Sequence, residues 1–373
     1  MKVLVNLATL KKGGGQNVGL NFLRSLLGNS HDLSNYYFVI AEGSEIDFFL
    51  KASSISNYTV VPQSPLRRML FERFKGGKLI RQQKIDIIYT IFGIGLYPKR
   101  IKQVSGSADS NIFFPEVDFW KDYKGVARFK KTIVDKYRVF ALKRSTAVVF
   151  ENESMMIRSK TLFNLKHTIF IKPSIDNQFE KDVFRLNAPA SSKKGLFFCG
   201  WQKNKNYEII PSLAQELKNR KIDFHFILTA PNDNSEEFIV FENNLERLDV
   251  KDMVSVIGQV KKNEIASLYD QIDFVFLLSK LESFSNNIIE SWFFKRPLIL
   301  ADEEWSNSIC KEAAKYVNRN NIKGIVDAIV ELSDKEAYQS FVHGGVEELT
   351  SYPSIDEKTN QELNYIREIY ESH

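Results

Sequence analysis

Apolar and polar positions along the chain form two kinds of segment that alternate from end to end. The first half contains KVLVNLA, QNVGLNFLRSLL, NYYFVIA, IDIIYTIF and TAVVFEN, and the second contains GLFFCG, NYEIIPSLAQEL, FHFILTA, MVSVIGQ, EIASLYDQ, DFVFLLS, NNIIESWFF and PLILAD. Short continuous apolar runs are typical of buried strands, and longer amphipathic runs are typical of helices. Their regular alternation predicts parallel sheets with helices on both faces.

A polar stretch, Pro173 to Lys194, separates the two series of segments. Its sequence, PSIDNQFEKDVFRLNAPASSKK, contains two prolines and no clear period, which is typical of a linker. We therefore predict an α/β protein with two Rossmann-like, doubly wound domains that face each other across a cleft, at residues 1–175 and 190–355. In such sheets, ligands bind beyond the carboxyl ends of the strands, where loops lead into helices.

Composition narrows the class of protein. The chain has 373 residues, 43% of them hydrophobic, which predicts globular domains and excludes extensive disorder. The two cysteines, Cys199 and Cys310, are far apart in apolar or small-residue surroundings, so we expect reduced, buried thiols and neither a disulfide framework nor a zinc site. The start of the chain does not resemble a signal peptide, and no apolar run reaches the roughly 18 residues of a membrane span. We expect a cytoplasmic protein.

The positive charge is concentrated in two stretches. Ser64 to Lys84 contains seven Lys/Arg and one acid, and Lys121 to Arg144 contains nine and two. Both stretches also carry aromatic and aliphatic residues, as does an amphipathic helix that lies on an anionic lipid surface. A solvated basic helix face over an ordinary core explains the pattern equally well. Nucleic acid is the weaker alternative, because no nucleic-acid-binding module accompanies the charge.

The first loop with potential chemistry is LATLKKGGGQN, between the first predicted strand and helix. Glycines 13 to 15 lack a Cβ, so their backbone N–H groups can approach a ligand closely, and a helix N-terminus follows. We interpret Gly14 and Gly15 as part of a cradle for phosphate or diphosphate. The pattern is neither GxGxxG nor a Walker loop, and a merely flexible loop is the alternative.

The second loop, FFCGWQKNKNYE, follows the first strand of the second domain. Gly200 ends the strand, and Lys203 and Lys205 lie in the turn before a helix that we expect to begin near Asn206. A lysine at a helix N-terminus is electrostatically unfavourable unless an anion shares the site. The loop therefore predicts a bound phosphate, although two surface lysines would give the same sequence.

The third loop, LESFSNN, connects the strand DFVFLLS to the helix IIESWFF. Ser285, Asn286 and Asn287 are suited to a helix N-terminus that offers free N–H groups to an anion. Glu282 precedes this terminus and Glu290 lies about one turn into the helix, so the two carboxylates could accept hydrogen bonds from sugar hydroxyls on either side of a diphosphate. The alternative is a capping acid and an exposed helix glutamate.

Together these residues resemble a known family. The ExxxxxxxE pattern of Glu282 and Glu290, the preceding Ser279, the following KRP and the strand PLIL are similar to the donor domain of retaining GT-B glycosyltransferases of family 4. CGWQKNKNYEIIPSLAQEL resembles that family's glycine, basic turn and helix, and GGGQNVGLNFLRSLL resembles its acceptor-domain glycine loop. The similarity runs in order over nearly the whole chain and is most specific from Gly195 to Val330.

The resemblance assigns roles to several residues. It implies that Glu290 binds the ribose hydroxyls of the nucleotide and that Glu282 lies near the donor sugar. It implies that backbone N–H groups from Phe284 to Asn287 contact the sugar and diphosphate, and that Lys205 compensates the charge of the leaving diphosphate. It also implies that residues 1–175 bind the acceptor and residues 190–355 the donor, with a final helix at about 357–373 packing back on the first domain.

The sequence departs from the family pattern at two positions. Trp201 stands where the family has an arginine, so Lys203 is the candidate to replace that arginine as a point charge without its bidentate geometry. The family's acceptor-domain histidine is also absent, because the comparable stretch VSGSADSNIFFPE offers Ala108 and Asp109. Asp109 is accordingly the acceptor-side candidate, as a base or as a hydroxyl anchor.

The resemblance implies metal-independent transfer with retention from a nucleotide-sugar, a UDP-sugar being favoured over a GDP-sugar, and no further cofactor. We expect a lipid-linked glycan acceptor on an anionic membrane surface, as in O-antigen or capsule synthesis, and no nucleic acid. Three other functions are alternatives to sugar transfer. A nicotinamide oxidoreductase requires a GxGxxG that the chain lacks. A catalytically silent, membrane-binding scaffold and a nucleotide-sugar epimerase on the same fold remain open.

Overall fold

The computed structural model describes residues 1–11, 13–28, 31–53, 55–93, 95, 97–175, 182–186, 188–189 and 191–372. It divides into two units, residues 1–175 with 353–373, and residues 176–352. Residues 176–181, 187 and 190 of the predicted linker, and thus the predicted start of the second domain, lie outside the described residues.

The first unit is built on a parallel sheet. Its strands are β1 (Val3–Asn6), β2 (Tyr36–Ala41), β3 (Tyr58–Val61), β4 (Ile87–Thr90), β5 (Lys102–Ser107), β6 (Ala147–Phe150) and β7 (Thr168–Phe170). They pair in the order β3-β2-β1-β4-β5-β6-β7, with Val3 of the buried β1 facing Tyr36 on one side and Ile87 on the other. The continuous apolar runs predicted from the sequence are thus interior strands, covered on both faces.

The helices that connect these strands along the chain are α1 (Gly14–Gly28), α2 (Glu45–Ala52), α3 (Pro65–Leu70), α4 (Gly76–Gln82), α5 (Gly125–Leu142) and α6 (Glu153–Phe163). A π-helical turn, Phe71–Lys75, joins α3 to α4 within the first basic stretch. The second basic stretch forms α5, a helix in which Ala141 and Leu142 are the buried residues. Most apolar side chains of α5 therefore face outward and do not cover a core.

The second unit also has a parallel sheet. Its strands are β8 (Lys193–Phe197), β9 (Phe224–Leu228), β10 (Val254–Val256), β11 (Phe274–Leu277), β12 (Leu298–Ala301) and β13 (Lys315–Val317). Their order is β10-β9-β8-β11-β12-β13, the order of a doubly wound Rossmann-like sheet. The stacked rings of Phe197 and Phe276, with centroids 4.8 Å apart, lie in its core. The predicted α/β fold class is confirmed in both units.

The helices of the second unit are α7 (Ile210–Asn219), α8 (Glu236–Arg247), α9 (Ile265–Tyr269), α10 (Asn286–Phe293), α11 (Glu304–Cys310), α12 (Ile322–Glu331) and α13 (Lys335–Leu349). The predicted start of α7 near Asn206 is wrong. Asn206 has a left-handed backbone with φ 62° between two 3-10 turns, so the α-helix begins only at Ile210. The lysines consequently lie in a separate turn before the helix.

The last helix, α14 (Ile355–Glu371), belongs to the first unit. Leu363, Ile366 and Ile369 of α14 are buried in the same apolar core as Leu23 of α1. Ser354 and Glu357 form a capping box at its start, with the Ser354 side chain accepting from the Glu357 N–H. The chain thus leaves the first unit, builds the second and returns.

Two expectations from composition bear on the fold. Cys199 and Cys310 are buried, free thiols, and burial raises the pKa of Cys199 to about 12. Among the described residues, no helix is both long and apolar enough to cross a membrane.

Candidate functional site

The loops that leave β8 and β11 lie side by side at the carboxyl edge of the second sheet. β8 and β11 are neighbours, while the chain continues from β8 to β9 on one side and from β11 to β12 on the other. This reversal opens a crevice beyond the two strand ends, where doubly wound sheets bind their ligands. The predicted residues that follow these strands are Gly200, Lys203, Lys205, Glu282, Phe284, Ser285, Asn286, Asn287 and Glu290.

Lys205 and Glu282 form an ion pair across this crevice. The Lys205 Nζ lies 2.6 Å from Glu282 Oε1, and the two side chains are only 22% and 15% exposed. Because the pair is shielded from solvent, the attraction between its charges is stronger than on an open surface. The structure thus brings together a lysine and a glutamate that are 77 positions apart in the sequence.

Asn204, which the sequence analysis did not single out, holds the two loops together. Its side chain donates to the carbonyl of Leu281 (2.8 Å) and to Glu282 Oε1 (3.4 Å), and it accepts from the N–H of Leu281 (3.2 Å). Its own carbonyl accepts from the N–H of Lys280 at 2.8 Å. An asparagine between two lysines carries no signal in a single sequence, because its partners come from another loop.

The N-terminus of α10 opens onto the same crevice. Ser285 occupies the N-cap position with an extended backbone, but its side chain makes no capping hydrogen bond. Ile288 donates its N–H to the Ser285 carbonyl at 3.1 Å, and the N–H groups of the two preceding residues carry the positive end of the helix dipole. Asn287 donates its side-chain amide to the carbonyl of Phe198 at 3.2 Å, which fixes the helix start against the end of β8. Asn286 is exposed, and Phe284 contacts the ring of Tyr352.

The buried hydroxyl of Ser279, at the end of β11, has no hydrogen-bond partner among the described residues. A buried hydroxyl without a partner costs free energy unless a bound group or water satisfies it. The Ser279 hydroxyl is therefore a polar group at this strand end that can form a hydrogen bond with a bound ligand or water.

Glu290 lies on α10 in a partly buried setting. The Tyr269 hydroxyl donates to Glu290 Oε2 at 3.3 Å. Burial raises the pKa of Glu290 to about 7, although the hydrogen bond from Tyr269 and the charge of Lys262 oppose this. The carboxyl group can thus exchange its proton near neutral pH, and its ionised form can accept hydrogen bonds from a ligand.

The remaining positions of the β8 loop do not converge on the ion pair. The Trp201 indole donates to the carbonyl of Pro231 at 2.7 Å, and its ring packs on Tyr207 and Phe241, so it has a structural role in the apolar core. The exposed Lys203 Nζ lies 3.8 Å from Glu208 Oε1, away from Lys205. Gly200 donates its N–H to the Gln202 side chain. The structure therefore brings Lys205 to Glu282 and turns Lys203 toward Glu208.

The glycine loop of the first unit lies at the carboxyl end of a central strand, as the β8 and β11 loops do in the second unit. It follows β1, and the sheet extends from β1 through β2 on one side and through β4 on the other. Gly13 has a φ of 70°, a left-handed conformation that favours glycine, and Gly14 and Gly15 are the first residues of α1. The predicted cradle is therefore a helix N-terminus at the switch point of the first sheet.

Asp109 follows β5 at the carboxyl edge of the first sheet. It pairs with Arg138 at 3.1 Å, and Arg138 also pairs with Asp135 at 3.0 Å. Burial raises the pKa of Asp109, opposed by Arg138 and assisted by Asp135. Arg138 belongs to the second basic stretch, so one cation expected on a lipid-facing surface instead holds this carboxylate.

Among the described residues, no group of three or more His, Cys, Asp or Glu side chains is arranged to hold a metal ion. The expectation of metal-independent chemistry stays a prediction.

The second half of the chain matches a known protein family. Residues 178–344 match the family model described as Glycosyl transferases group 1, a segment that contains Lys205, Glu282 and Glu290. No curated protein matches the chain in sequence.

Solved structures share the fold over nearly the whole chain. A glycosyltransferase from Rickettsia africae ESF-5 is 14% identical with a TM-score of 0.71, over 100% of this chain and 99% of that one. A sucrose-phosphate synthase from Thermosynechococcus elongatus is 12% identical with a TM-score of 0.72, over 99% of each chain. Anabaena HepE, in complex with UDP and glucose, is 13% identical with a TM-score of 0.71, over 99% and 100%. At these identities the likeness shows the fold.

Proposed function

We propose that the chain is a glycosyltransferase that transfers a sugar with retention from a nucleotide-sugar to a glycan, because residues 178–344 match the Glycosyl transferases group 1 model and the chain shares its fold with a solved glycosyltransferase. The observation that carries the proposal is the Lys205–Glu282 pair beside the open N-terminus of α10. A UDP-sugar is favoured over a GDP-sugar, and the fold shared with Anabaena HepE, whose structures contain UDP or UDP-glucose, supports that choice.

The proposed chemistry follows from where charge develops. When the bond between the anomeric carbon and the diphosphate oxygen breaks, its electron pair goes to the diphosphate, and preorganised N–H groups and Lys205 stabilise that charge. The acceptor hydroxyl attacks the same face of the sugar and gives its proton to the departing diphosphate. Glu290 binds the ribose hydroxyls and Glu282 the donor sugar. No metal ion takes part in this scheme.

The acceptor is proposed to be a lipid-linked glycan of O-antigen or capsule synthesis, met at an anionic membrane surface. The basic α5 supports this part, because its apolar residues Val126, Phe129 and Ile133 are at least half exposed among cations. Asp109, held by Arg138, is the candidate anchor or base for the acceptor hydroxyl. Co-sedimentation with phosphatidylglycerol vesicles, but not with phosphatidylcholine vesicles, is the expected result. Equal sedimentation with both would contradict the membrane part.

Nucleotide release and product analysis test the transfer itself. The purified protein is incubated in EDTA with UDP-glucose, UDP-galactose, UDP-N-acetylglucosamine or GDP-mannose and a polyprenyl-diphosphate-linked sugar. We expect one donor to yield free nucleotide and a product that keeps the donor's anomeric configuration. Lys205→Ala should lower kcat by about 100-fold or more.

A matched control separates the site from the general charge of the unit. Lys323→Ala, an exposed residue of α12, should leave kcat within about twofold. Turnover that requires a divalent cation would contradict the mechanism. Conversion of the donor without an acceptor would identify an epimerase, and nucleotide binding without turnover a silent scaffold.

A further inference from the structure

A cavity of about 470 Å³ lies on the first unit, apart from the sheet edge that carries Asp109 and the glycine loop. It is bounded by the π-helical turn, by the chain that enters β5 and by the end of α5. Three of its lining residues are cations and three are aromatic or apolar: Arg73, Lys99, Arg144, Tyr97, Pro98 and Phe140. This volume is within the range of small-molecule sites.

The cations of the cavity are not neutralised by carboxylates of the described part of the chain. None of Arg73, Lys99 and Arg144 has an ion-pair partner there. Arg144 Nε is buried without a hydrogen-bond partner, and its Nη2 makes one long bond, 3.5 Å, to the Tyr97 carbonyl. Because a buried, unsatisfied guanidinium N–H is costly, this arrangement favours an anion in the cavity.

The acid nearest in sequence, Glu72, does not compensate these charges. Its side chain is fully buried, accepts a hydrogen bond from Asn6 at 3.3 Å and lies 3.7 Å from Arg68. The π-helical turn thus directs Glu72 into the unit and leaves its neighbour Arg73 exposed at the cavity. Helical turns of this kind are frequent at functional sites.

The rim of the cavity is apolar and exposed. Phe140, which lines it, is 54% exposed, and Phe74 beside Arg73 is 72% exposed. The Arg144 guanidinium lies over the Phe140 ring and that of Arg73 over the Phe74 ring, at 5.5 Å and 5.9 Å. Positive charge inside an exposed apolar rim is complementary to a phosphate headgroup attached to a hydrocarbon chain.

We propose that this cavity binds the phosphate group of an amphiphile, with Arg73, Lys99 and Arg144 as donors to the phosphate oxygens. Arginine is suited to this role because its fork of N–H groups can bind phosphate bidentately. Phe74 and Phe140 contact the first carbons of the hydrocarbon chain. The site is a binding site on the first unit, and it can be present whether or not the second unit transfers a sugar.

Calorimetric titration of the full-length protein with a short-chain phosphatidylglycerol, kept below its micelle concentration, tests the site. The double variant Arg73→Gln with Lys99→Gln changes two exposed side chains and should weaken binding by about tenfold or more. The control, Arg367→Gln with Lys166→Gln, removes the same charge from exposed positions of the first unit that lie outside the cavity and outside both basic stretches, and it should change binding by less than about twofold.

Inorganic phosphate forms the other arm. Inorganic phosphate that binds more weakly than the phosphatidylglycerol, and loses affinity in the same double variant, supports an amphiphile as the source. Inorganic phosphate that binds equally tightly and with the same variant dependence supports phosphate recognition but assigns the site to a soluble anion. No binding of any phosphate compound, or equal weakening in both double variants, would overturn the proposal. Failure of sugar transfer alone would leave these titrations unchanged.

Discussion

At the residue scale, Glu290 has a setting that keeps its carboxyl group partly protonated near neutral pH. Burial raises its pKa from 4.5 to about 7. Between these two values the folded protein binds more protons than the unfolded chain, so the free energy of unfolding falls as the pH rises through that window. Stability from this group is therefore greatest below about pH 4.5 and is lost by about pH 7.

Glu290→Gln should remove this pH dependence, because glutamine resembles the protonated acid and does not titrate. From about pH 5 to about pH 8 the wild type should lose up to about 3 kcal/mol relative to the variant. Thermal unfolding of both proteins at constant ionic strength measures the difference. Parallel curves over this range would show that Glu290 does not titrate as described.

Asn204 is expected to matter for activity even though it needs no contact with substrate. Asn204→Ala removes the side-chain bonds to Leu281 and Glu282, so the ion pair loses part of its support. The expected loss in kcat for nucleotide release is about tenfold, equivalent to roughly one hydrogen bond to a charged group. Asn219→Ala, an exposed position at the end of α7, is the matched control and should retain wild-type turnover. Wild-type kcat in Asn204→Ala would contradict the role.

The sequence predicted which loops of the second unit carry the polar residues, but it did not predict how their side chains pair. Lys205 and Glu282 were both candidates, and their contact depends on the three crossovers of the chain from β8 to β9, to β10 and to β11. For Arg138 and Lys203, the charge pattern of the sequence did not predict the role of the side chain. Arg138 pairs with Asp109 and Asp135, and Lys203 lies beside Glu208. These partners could not be inferred from spacing.

At the element scale, α13 supports the helix that carries Glu290. Gly345 of α13 is buried against Trp292 of α10, and a Cβ at Gly345 would come within 2.3 Å of Trp292 Cδ1. The Trp292 indole also donates to the Ala313 carbonyl at 3.1 Å, so the ring has little freedom to move. The small residue thus sets how closely the two helices approach.

Gly345→Ala and Gly344→Ala form a matched pair in the same helix. Gly345→Ala should destabilise the protein by about 1–3 kcal/mol, because the methyl group overpacks the contact with Trp292. At Gly344 a Cβ would make contacts no shorter than 3.7 Å, so its alanine variant should gain about 0.5–1 kcal/mol of helix stability. Urea unfolding followed by circular dichroism measures both. Equal effects of the two variants would contradict the packing argument.

Strands and long helices were predictable from hydrophobic pattern, because buried strands and amphipathic helices have different periods. Two local features were not. The left-handed Asn206 moves the start of α7 to Ile210, and the π-helical turn Phe71–Lys75 interrupts a pattern that looks like an ordinary amphipathic helix. Both involve tertiary contacts: the Asn206 side chain donates to the Arg319 carbonyl, and Glu72 of the π-helical turn accepts from Asn6.

At the scale of the whole molecule, the first unit is completed by the last helix of the chain. Lys358 of α14 lies 2.5 Å from Glu151 and 3.4 Å from Glu362, and all three side chains are almost fully buried. Burial raises the pKa of Glu362. Burial by itself would lower the pKa of Lys358, but the two carboxylates together outweigh it and raise that pKa. Removing the single cation would leave two buried carboxylates without compensation.

Lys358→Met should therefore lower the free energy of unfolding of the first unit by about 3–5 kcal/mol. Arg367→Met, on the exposed side of the same helix, should change it by less than about 0.5 kcal/mol. Limited proteolysis of α14 and urea unfolding both report the effect. A Lys358→Met protein as stable as Arg367→Met would show that α14 is held by its apolar face alone.

The measurement that tests the central claim most directly is calorimetric titration of the protein with UDP and GDP in EDTA. The account predicts that the wild type binds one of these nucleotides without metal, and that Glu290→Ala weakens binding by about tenfold or more. Glu312→Ala, an exposed acid of the same unit, should bind like the wild type. A wild type that binds neither nucleotide, or a Glu290→Ala variant that binds as tightly as the wild type, would contradict a nucleotide-sugar site at the carboxyl ends of β8 and β11.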